Sequence, residues 1–197
     1  MVLYMIKKIR NKLKNKIVGI AGAGGLGSNC AVSLARAGVG NLIITDFDMI
    51  EESNLNRQYY FYNQIGQKKV LALKKNIKEI NKKVNVKALD IKLNSTNIIE
   101  IFNDCDVVIE AFDKAEMKQM IIETVLDKMP DKPIIVGIGI AGWGNNNLLK
   151  TLKTDNLYIC GDGTSEVTDK QPPLAPRVGI VANMLANQTL EILLKNI

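Results

Sequence analysis

Short apolar runs alternate with amphipathic stretches along most of the chain. The apolar runs predict buried strands at residues 17–21, 41–46, 84–91, 105–112 and 133–140. Between them, apolar residues recur every three or four positions, which predicts helices after a glycine-rich loop to about residue 38 and over 65–84, 94–103, 116–129 and 177–194. This alternation is typical of a doubly wound α/β fold, with a mainly parallel sheet and helices on both faces.

Two segments depart from the alternation. Residues 1–16 hold six basic residues among apolar ones at helical spacing, which predicts a basic amphipathic helix packed on the body or on a partner subunit. A helix lying on a membrane surface is the alternative. Residues 141–175 are rich in glycine and proline and predict a long crossover loop or a short antiparallel excursion, with a weak edge strand within 151–159.

The length and composition predict a single domain over residues 1–197. The chain has 197 residues, of which 47% are hydrophobic and 23% charged, and it carries neither an internal repeat nor a low-complexity linker. No apolar run approaches the roughly 20 residues that a membrane-spanning helix needs. The N-terminus lacks the pattern of a signal peptide. We therefore expect a cytoplasmic protein without a membrane partner.

The rare residue types exclude several chemistries. The chain has no histidine, which excludes Ser-His-Asp and Cys-His catalysis and any imidazole-bound metal. Its three cysteines form no C-x-x-C pair, so we expect no four-cysteine zinc site. Catalysis must then use carboxylates, amines, guanidinium groups, a thiol or backbone N–H groups.

The charge balance leaves two interpretations open. A net charge of +6 fits either a lysine-rich surface or attraction to an acidic protein or nucleic acid. Only four of the 26 basic residues are arginines. In such a chain an arginine is favoured where a planar fork of donors is needed, which draws attention to Arg57.

A glycine loop follows the first predicted strand and opens the next helix. Residues 22–28 have the sequence Gly-Ala-Gly-Gly-Leu-Gly-Ser, and Asp46 ends the second strand. Such a loop lets a phosphate approach the backbone at a helix N-terminus, and the aspartate can accept the ribose hydroxyls. The pattern predicts a Rossmann-like nucleotide site at Gly22, Gly24, Gly25, Gly27 and Asp46. Glycines that merely permit close packing are the alternative, and this pattern does not separate NAD from ATP.

Two cations and a carboxylate favour ATP that is cleaved at its α-phosphate. Arg57 and Lys69 would supply the fixed positive charge that a phosphoryl transition state requires. Asp113 follows a buried strand, at the sheet edge where α/β proteins bind ligands, and it would suit Mg²⁺. The alternatives are a solvated arginine, a surface lysine and an aspartate that caps the following helix.

Together these motifs resemble the ThiF/MoeB/HesA family, the bacterial relatives of ubiquitin-activating enzymes. They comprise the glycine loop, Asp46-Phe47-Asp48, Ser-Asn-Leu-Asn-Arg-Gln at 53–58, Gly-Gln-Lys-Lys at 66–69 and the strand before Asp113. The resemblance covers residues 17–140 well and the last helix moderately. It implies an enzyme that uses ATP and Mg²⁺ to adenylate the C-terminal glycine carboxylate of a small β-grasp sulfur-carrier protein. Such enzymes usually form homodimers.

The resemblance also assigns roles to individual residues. It implies that Asp46 holds the ribose and that Asp113 binds Mg²⁺. It further implies phosphate contacts for Asn54, Arg57 and Lys69, and places Asn56 in the same nucleotide site. The attacking carboxylate is already ionised at neutral pH, so no general base is needed, in agreement with the absence of histidine.

The chain departs from the family pattern in three places. The structural zinc cysteines are absent, and the N-terminal arginine that reaches a neighbouring subunit has only Arg10 as a candidate. The cysteine-rich C-terminal region is reduced to Cys160, which lies in the glycine-rich crossover segment near Gly161 and Gly163. We expect Cys160 to be exposed, with a role in sulfur handling as the hypothesis and a purely structural role as the default. The compact length most resembles the ThiF-type enzymes of thiamine biosynthesis, with a ThiS-like carrier.

Other functions remain open on the sequence. These are adenylation of a MoaD-like carrier or of a modified tRNA base, a dinucleotide-dependent reductase, and a non-catalytic nucleotide-binding scaffold. Arg57, Lys69 and Asp113 disfavour the last two. The aromatic residues 59–62 have no lysine among them, so we do not expect a nucleic-acid partner.

Overall fold

The computed structural model describes residues 2–195. The α-helices are α1 (Val2–Leu13), α2 (Gly25–Ala37), α3 (Lys69–Ile80), α4 (Ser95–Phe102), α5 (Ala115–Lys128) and α6 (Ala175–Leu193). The strands are β1 (Ile17–Ala21), β2 (Asn41–Asp46), β3 (Asn85–Asp90), β4 (Val107–Glu110), β5 (Ile134–Ile138), β6 (Lys150–Thr154) and β7 (Leu157–Gly161). Short 3₁₀ turns lie at Glu52–Asn54, Tyr62–Gln64 and Asn146–Leu148.

All seven strands form one sheet in the order β3-β2-β1-β4-β5-β7-β6. Every pair is parallel except the edge pair of β6 and β7. The chain proceeds outward from β1 to β2 on one side and continues with β4 on the other. This reversal opens a crevice at the carboxyl ends of β1 and β4, where doubly wound proteins bind their ligands.

Helices cover both faces of the sheet, which confirms the predicted fold class. One apolar cluster joins α2, α3 and α6 to the sheet through buried residues such as Leu34, Leu73 and Val181. A second cluster joins α4 and α5 to the other face through Phe102 and Ile121. The sequence could predict helices packed on both faces of a sheet, because each helix carries one apolar stripe that must be buried against the apolar strands.

The crossover segment forms the predicted antiparallel excursion, but as two strands rather than one weak edge strand within 151–159. It contains a hairpin of β6 and β7, and β7 lies inside the sheet between β5 and β6 rather than at its edge. The two strands are joined at Asp155, which adopts a left-handed conformation with φ 51°. All five residues of β6 are exposed, which makes its sequence look like a loop, whereas β7 is covered by its neighbours.

The predicted N-terminal helix is present as α1. Its last residue, Leu13, is buried in the main core and Ile9 packs partly against it. The beginning of the apolar stripe is uncovered in the single chain, with Leu3 75% and Tyr4 72% exposed. Among the described helices, none is both long enough and apolar enough to cross a membrane.

A buried ion pair ties the crossover segment to α6. The Arg177 side chain is 3% exposed and donates to the carboxylate of Asp162 and to the carbonyl oxygen of Gly144, the latter at 2.6 Å. Burial favours a raised pKa for Asp162, but hydrogen bonds from Ser165, Thr164 and Arg177 prevail and lower it to about 2. Because this value is below the ordinary 3.8, the carboxylate stabilises the fold above that pH, and its contribution is lost as the pH falls towards 2.

Replacing Arg177 by Met should lower the free energy of unfolding by about 3–5 kcal/mol, because Asp162 would keep a buried charge without its cation. Urea denaturation followed by circular dichroism measures this change. Arg36→Met is the matched control, since Arg36 is exposed near the end of α2, and it should change the free energy by less than about 0.5 kcal/mol. Equal effects of the two substitutions would contradict a stabilising role for the pair.

Candidate nucleotide-binding site

The glycine loop connects β1 to α2 at the crevice of the sheet. Gly22 has φ 102°, and a Cβ atom at that position would lie 2.7 Å from the carbonyl oxygen of Ala111. A Cβ atom at Gly27 would lie 1.9 Å from the carbonyl oxygen of Gly22. Gly22 and Gly27 are therefore required for close packing of the backbone. This agrees with the alternative interpretation of these two glycines and leaves open what the loop binds.

Gly24 faces a more open space, whereas a Cβ atom at Gly25 would lie 2.9 Å from Cγ1 of Val178. A Cβ atom at Gly24 would meet only Nε2 of Gln58, at 3.9 Å. Within residues 2–195, the backbone N–H groups of 24–27 have no hydrogen-bond partner, as expected at the first turn of a helix. The helix dipole adds positive potential at this end. The loop therefore offers a cradle for an anion such as a phosphate group.

Asp46 lies against the same loop. Its Oδ2 accepts a hydrogen bond from the N–H group of Ala23 at 2.7 Å, and its Oδ1 accepts one from the N–H group of Asp48 at 2.8 Å. The hydroxyl group of Tyr60 donates to the carbonyl oxygen of Ala23 at 2.7 Å, and burial next to these carboxylates raises the pKa of Tyr60. Each carboxylate oxygen of Asp46 keeps a further acceptor position, so bonds to ribose hydroxyls are compatible with this geometry.

Arg57 is brought to the glycine loop by the turn that follows β2. A Cβ atom at Gly25 would lie 3.6 Å from Cγ of Arg57, so the arginine stem runs along the start of α2. The guanidinium group donates to Oδ1 of Asn56 at 2.7 Å and to the carbonyl oxygen of Ser53 at 3.1 Å. The backbone carbonyl oxygen of Arg57 accepts a hydrogen bond from the side chain of Asn29 in α2 at 2.9 Å, which fixes the turn that carries Arg57 to this helix.

Lys69 is the first residue of α3, and its side chain is only 8% exposed. Its ammonium group lies 2.8 Å from Oδ2 of Asp48, two residues beyond Asp46. The predicted second cation is therefore held beside the end of β2 rather than on the open surface, where the alternative interpretation would place it.

Asn54 and Asn56 shape the segment that carries Arg57. Asn54 is buried, and its Oδ1 accepts from the N–H group of Glu51 at 3.1 Å. Asn56 orients the guanidinium group of Arg57 and donates to the carbonyl oxygen of Pro173 at 3.3 Å, just before α6. Their contact with phosphate groups stays a prediction.

Asp113 lies three residues beyond the end of β4, because this strand ends at Glu110 and not at Phe112 as predicted. It is exposed, and α5 begins at Ala115 with Lys114 at its cap position and no side-chain capping bond. The capping alternative is therefore not observed. Among the described residues, no three carboxylates or thiols converge into a metal-binding cluster.

The buried carboxylate at this edge is Glu110. It is fully buried, and its two oxygens accept from the ammonium group of Lys118 at 2.8 and 3.0 Å. Burial raises the pKa of Glu110, and the Lys118 ammonium opposes this shift. Lys118 also donates to the carbonyl oxygen of Gly137 at 3.0 Å, so the pair joins α5 to β4 and β5 beneath Asp113.

The predicted exposure of Cys160 is wrong. Cys160 lies in β7, where it pairs with Gly137 of β5 and Thr151 of β6, and it is fully buried. Burial raises the pKa of its thiol, although a contact of 3.5 Å with the hydroxyl group of Thr151 opposes the shift. A sulfur-handling role would require the surrounding core to open, because the Cys160 side chain packs in the main apolar cluster.

Cys160 should therefore resist alkylation by iodoacetamide in the native protein and react only after unfolding, because a buried neutral thiol is a poor nucleophile. Mass spectrometry after a timed reaction measures the labelling at each cysteine. The same reaction in denaturant is the control for reagent activity. Rapid native labelling of Cys160 would show that the core around it opens and would restore its candidacy.

Gln58 belongs to the site although the sequence analysis did not single it out. Its Nε2 approaches Gly24, and its Oε1 is buried without a hydrogen-bond partner among the described residues. Ser28, at the end of the loop, accepts from the N–H group of Tyr59 at 3.0 Å. The sequence signal that could have predicted the place of Gln58 is its position next to Arg57 in the same short turn.

The fold and the glycine loop define a doubly wound α/β protein with an anion cradle at its switch point. The chain belongs to the ThiF family, whose family model matches residues 3–197. This result confirms the family resemblance of the motifs.

Similar proteins carry several different names. The chain is 31% identical over 193 residues to the adenylyltransferase and sulfurtransferase UBA4 of Saccharomyces cerevisiae (strain S288c), and the match covers 93% of the chain and 43% of UBA4. It is 39% identical over 119 residues to a probable molybdopterin-synthase adenylyltransferase of Porphyra purpurea, covering 60% of the chain and 31% of that protein. The chain therefore spans less than half the length of these relatives.

A solved structure with the same fold is the E. coli tRNA N6-threonylcarbamoyladenosine dehydratase TcdA in complex with ATP. Its TM-score is 0.85, over 95% of this chain and 89% of that chain. The sequence identity is 17%, so this likeness concerns the fold alone.

Proposed function

We propose that this protein is an adenylyltransferase that joins AMP from ATP to the C-terminal carboxylate of a small carrier protein. The observation that carries the proposal is a convergence at the carboxyl ends of the strands. The N–H groups at the start of α2 have no partner among the described residues, the Arg57 side chain runs along them, and Lys69 is paired with Asp48, two residues beyond Asp46. A reductase that binds a dinucleotide would not need these added cations. The names of the relatives support the adenylyltransferase class.

The residues divide the work by their chemistry. The glycine loop would hold phosphate oxygens through its N–H groups, and Asp46 would accept the ribose hydroxyls. Arg57 and Lys69 would stabilise the negative charge that grows on the α-phosphate and on the departing pyrophosphate. A carboxylate oxygen of the carrier bonds to the α-phosphorus while the bond to the β-phosphate oxygen breaks, and its electrons leave with pyrophosphate.

Asp113 would hold Mg²⁺ in this proposal. An exposed carboxylate that has no partner among the described residues suits a cation that usually takes one or two carboxylates together with phosphate oxygens, so a three-residue cluster is not required. When bound, Mg²⁺ would neutralise charge on the phosphate groups.

The proposed carrier follows from the family resemblance and from the name of one relative. The family resemblance implies a β-grasp sulfur carrier. In its most specific form, the proposal is a ThiS-like carrier of the thiamine pathway. The name of the Porphyra relative favours a molybdopterin-type carrier as the second candidate. A homodimer is also part of the proposal, and light scattering tests it directly.

Pyrophosphate exchange into ATP, measured with candidate carriers, tests the reaction. We expect exchange that depends on the carrier and is lost when the carrier's last glycine is removed, with tRNA as the contrasting acceptor. A thermal-shift titration should show stabilisation by ATP with Mg²⁺ and little by NADH. Tight NADH binding without any effect of ATP would overturn the proposal.

A further inference from the structure

A second concave site lies at the opposite end of the sheet from the glycine loop. It is a cavity of about 640 Å³ between the end of α1, the end of α2 and the end of α3. Its lining includes Gly40 and Val84, which precede β2 and β3, whereas the glycine loop follows β1. The length of the strands, at about 3.3 Å per residue, separates the two sites.

The charges around this cavity are all of one sign. Five cationic residues line it, and no aspartate or glutamate does: Arg10, Lys14, Arg36, Lys82 and Lys83. Within the part of the chain that the structure describes, none of their side-chain nitrogens makes a hydrogen bond or an ion pair. Like charges that face one cavity repel one another, and a bound polyanion relieves this repulsion.

Helix dipoles explain part of this arrangement, because the cavity lies where α1, α2 and α3 end and Arg10 belongs to the last turn of α1. Arg36 lies in the last turn of α2, where a cation interacts favourably with the helix C-terminus. Lys14 follows α1, and Lys82 and Lys83 follow α3, so these three lysines lie beyond the last helical turns. Two of the four arginines of a lysine-rich chain line the cavity, where their planar forks suit phosphate oxygens.

The walls of the cavity are held in place by internal contacts. A Cβ atom at Gly38, which has φ 105°, would lie 2.9 Å from Cγ of Arg10, so the arginine stem rests on the backbone that ends α2. Asn81 donates to the carbonyl oxygen of Ala35 at 2.9 Å and accepts from the N–H group of Lys83 at 3.1 Å. These bonds link the ends of α2 and α3.

We propose that this basic cavity binds a ligand with several closely spaced phosphate groups. No aromatic residue lines the cavity, so recognition would rest on the phosphates and not on stacking of a base. The source of the phosphates is either a small oligophosphate or a nucleic-acid backbone. The site is independent of the proposed adenylation, which takes place at the carboxyl ends of the strands, at the opposite end of the sheet from this cavity.

Isothermal titration with inorganic tripolyphosphate tests the site, with the glycine loop saturated by a non-hydrolysable ATP analogue. We expect one binding event per chain, and the double variant Arg10→Gln/Arg36→Gln should weaken it by about tenfold or more. The matched control is Lys150→Gln/Lys170→Gln, which removes two exposed cations elsewhere and should leave the dissociation constant unchanged. Thermal melting of both variants verifies that they are folded.

A short RNA hairpin forms the second arm of the experiment. If a nucleic acid is the source, RNA should bind more tightly than tripolyphosphate, and the salt dependence of its affinity should become shallower in the Arg10/Arg36 variant. Absence of binding in both arms, or equal loss in the control variant, would overturn the proposal. Should the ATP analogue fail to bind, that result counts against the adenylation alone, and the titration is repeated in an Arg57→Ala background.

Discussion

Asp113→Asn is expected to lower the rate of pyrophosphate exchange by at least about 100-fold, because the amide keeps the shape of the side chain but lacks the charge that would hold Mg²⁺. The free energy of unfolding should change little, since Asp113 is exposed and α5 takes no capping bond from its side chain. The exchange assay at saturating ATP, with the Mg²⁺ concentration varied, measures the effect.

Glu116→Gln is the matched control for Asp113. Glu116 is an exposed carboxylate in the first turn of the same helix, and its neutralisation should leave the exchange rate within about twofold. An active Asp113→Asn variant would remove Asp113 from the site and leave the metal without a protein ligand in this proposal.

Arg57→Ala and Lys69→Ala should each lower the exchange rate by roughly 100- to 1,000-fold, the usual cost of losing one preorganised donor to a developing charge. The loss should fall on kcat rather than on the KM for ATP if the two cations act chiefly in the transition state. Steady-state kinetics with ATP and a carrier separates the two parameters.

Exposed cations elsewhere provide the controls for this pair. Arg36→Ala and Lys74→Ala remove an arginine from α2 and a lysine from α3, and both should keep full activity. Unfolding of the Lys69 variant must also be measured, because its side chain is buried against Asp48. If either variant is fully active and folded, that residue is a structural cation, and the assignment of charge stabilisation must move to another group.

Local patterns in the sequence predicted the elements that depend on near neighbours. The helices and the first five strands were found within a few residues of their ends, because burial of one face imposes a repeating apolar pattern. At β4 and β7 the prediction was wrong because residue type alone does not show which residues are paired in a strand. Phe112 is apolar but lies beyond the last paired residue of its strand, and Cys160 is followed by two nearby glycines although its strand is paired on both sides.

The candidate site was predicted in its composition but not in its connections. The motifs placed Arg57 and Lys69 near a nucleotide, yet the pairing of Lys69 with Asp48 and the contact of Gln58 with the glycine loop needed the folded backbone. Glu110 and Lys118 looked like ordinary strand and helix residues, because nothing in their spacing shows that they become a buried pair.

What the sequence by itself determined is the alternation of strands and helices, the glycine turn and the residues that follow the strands, since each depends on a short stretch of chain. Only the tertiary structure decided which distant residues share an environment. Arg177 of α6 forms an ion pair with Asp162 of the crossover segment. Arg10, Arg36 and Lys83 line one basic cavity. These groupings depend on strand order and on how the helix ends pack together, which hydrophobic periodicity does not encode.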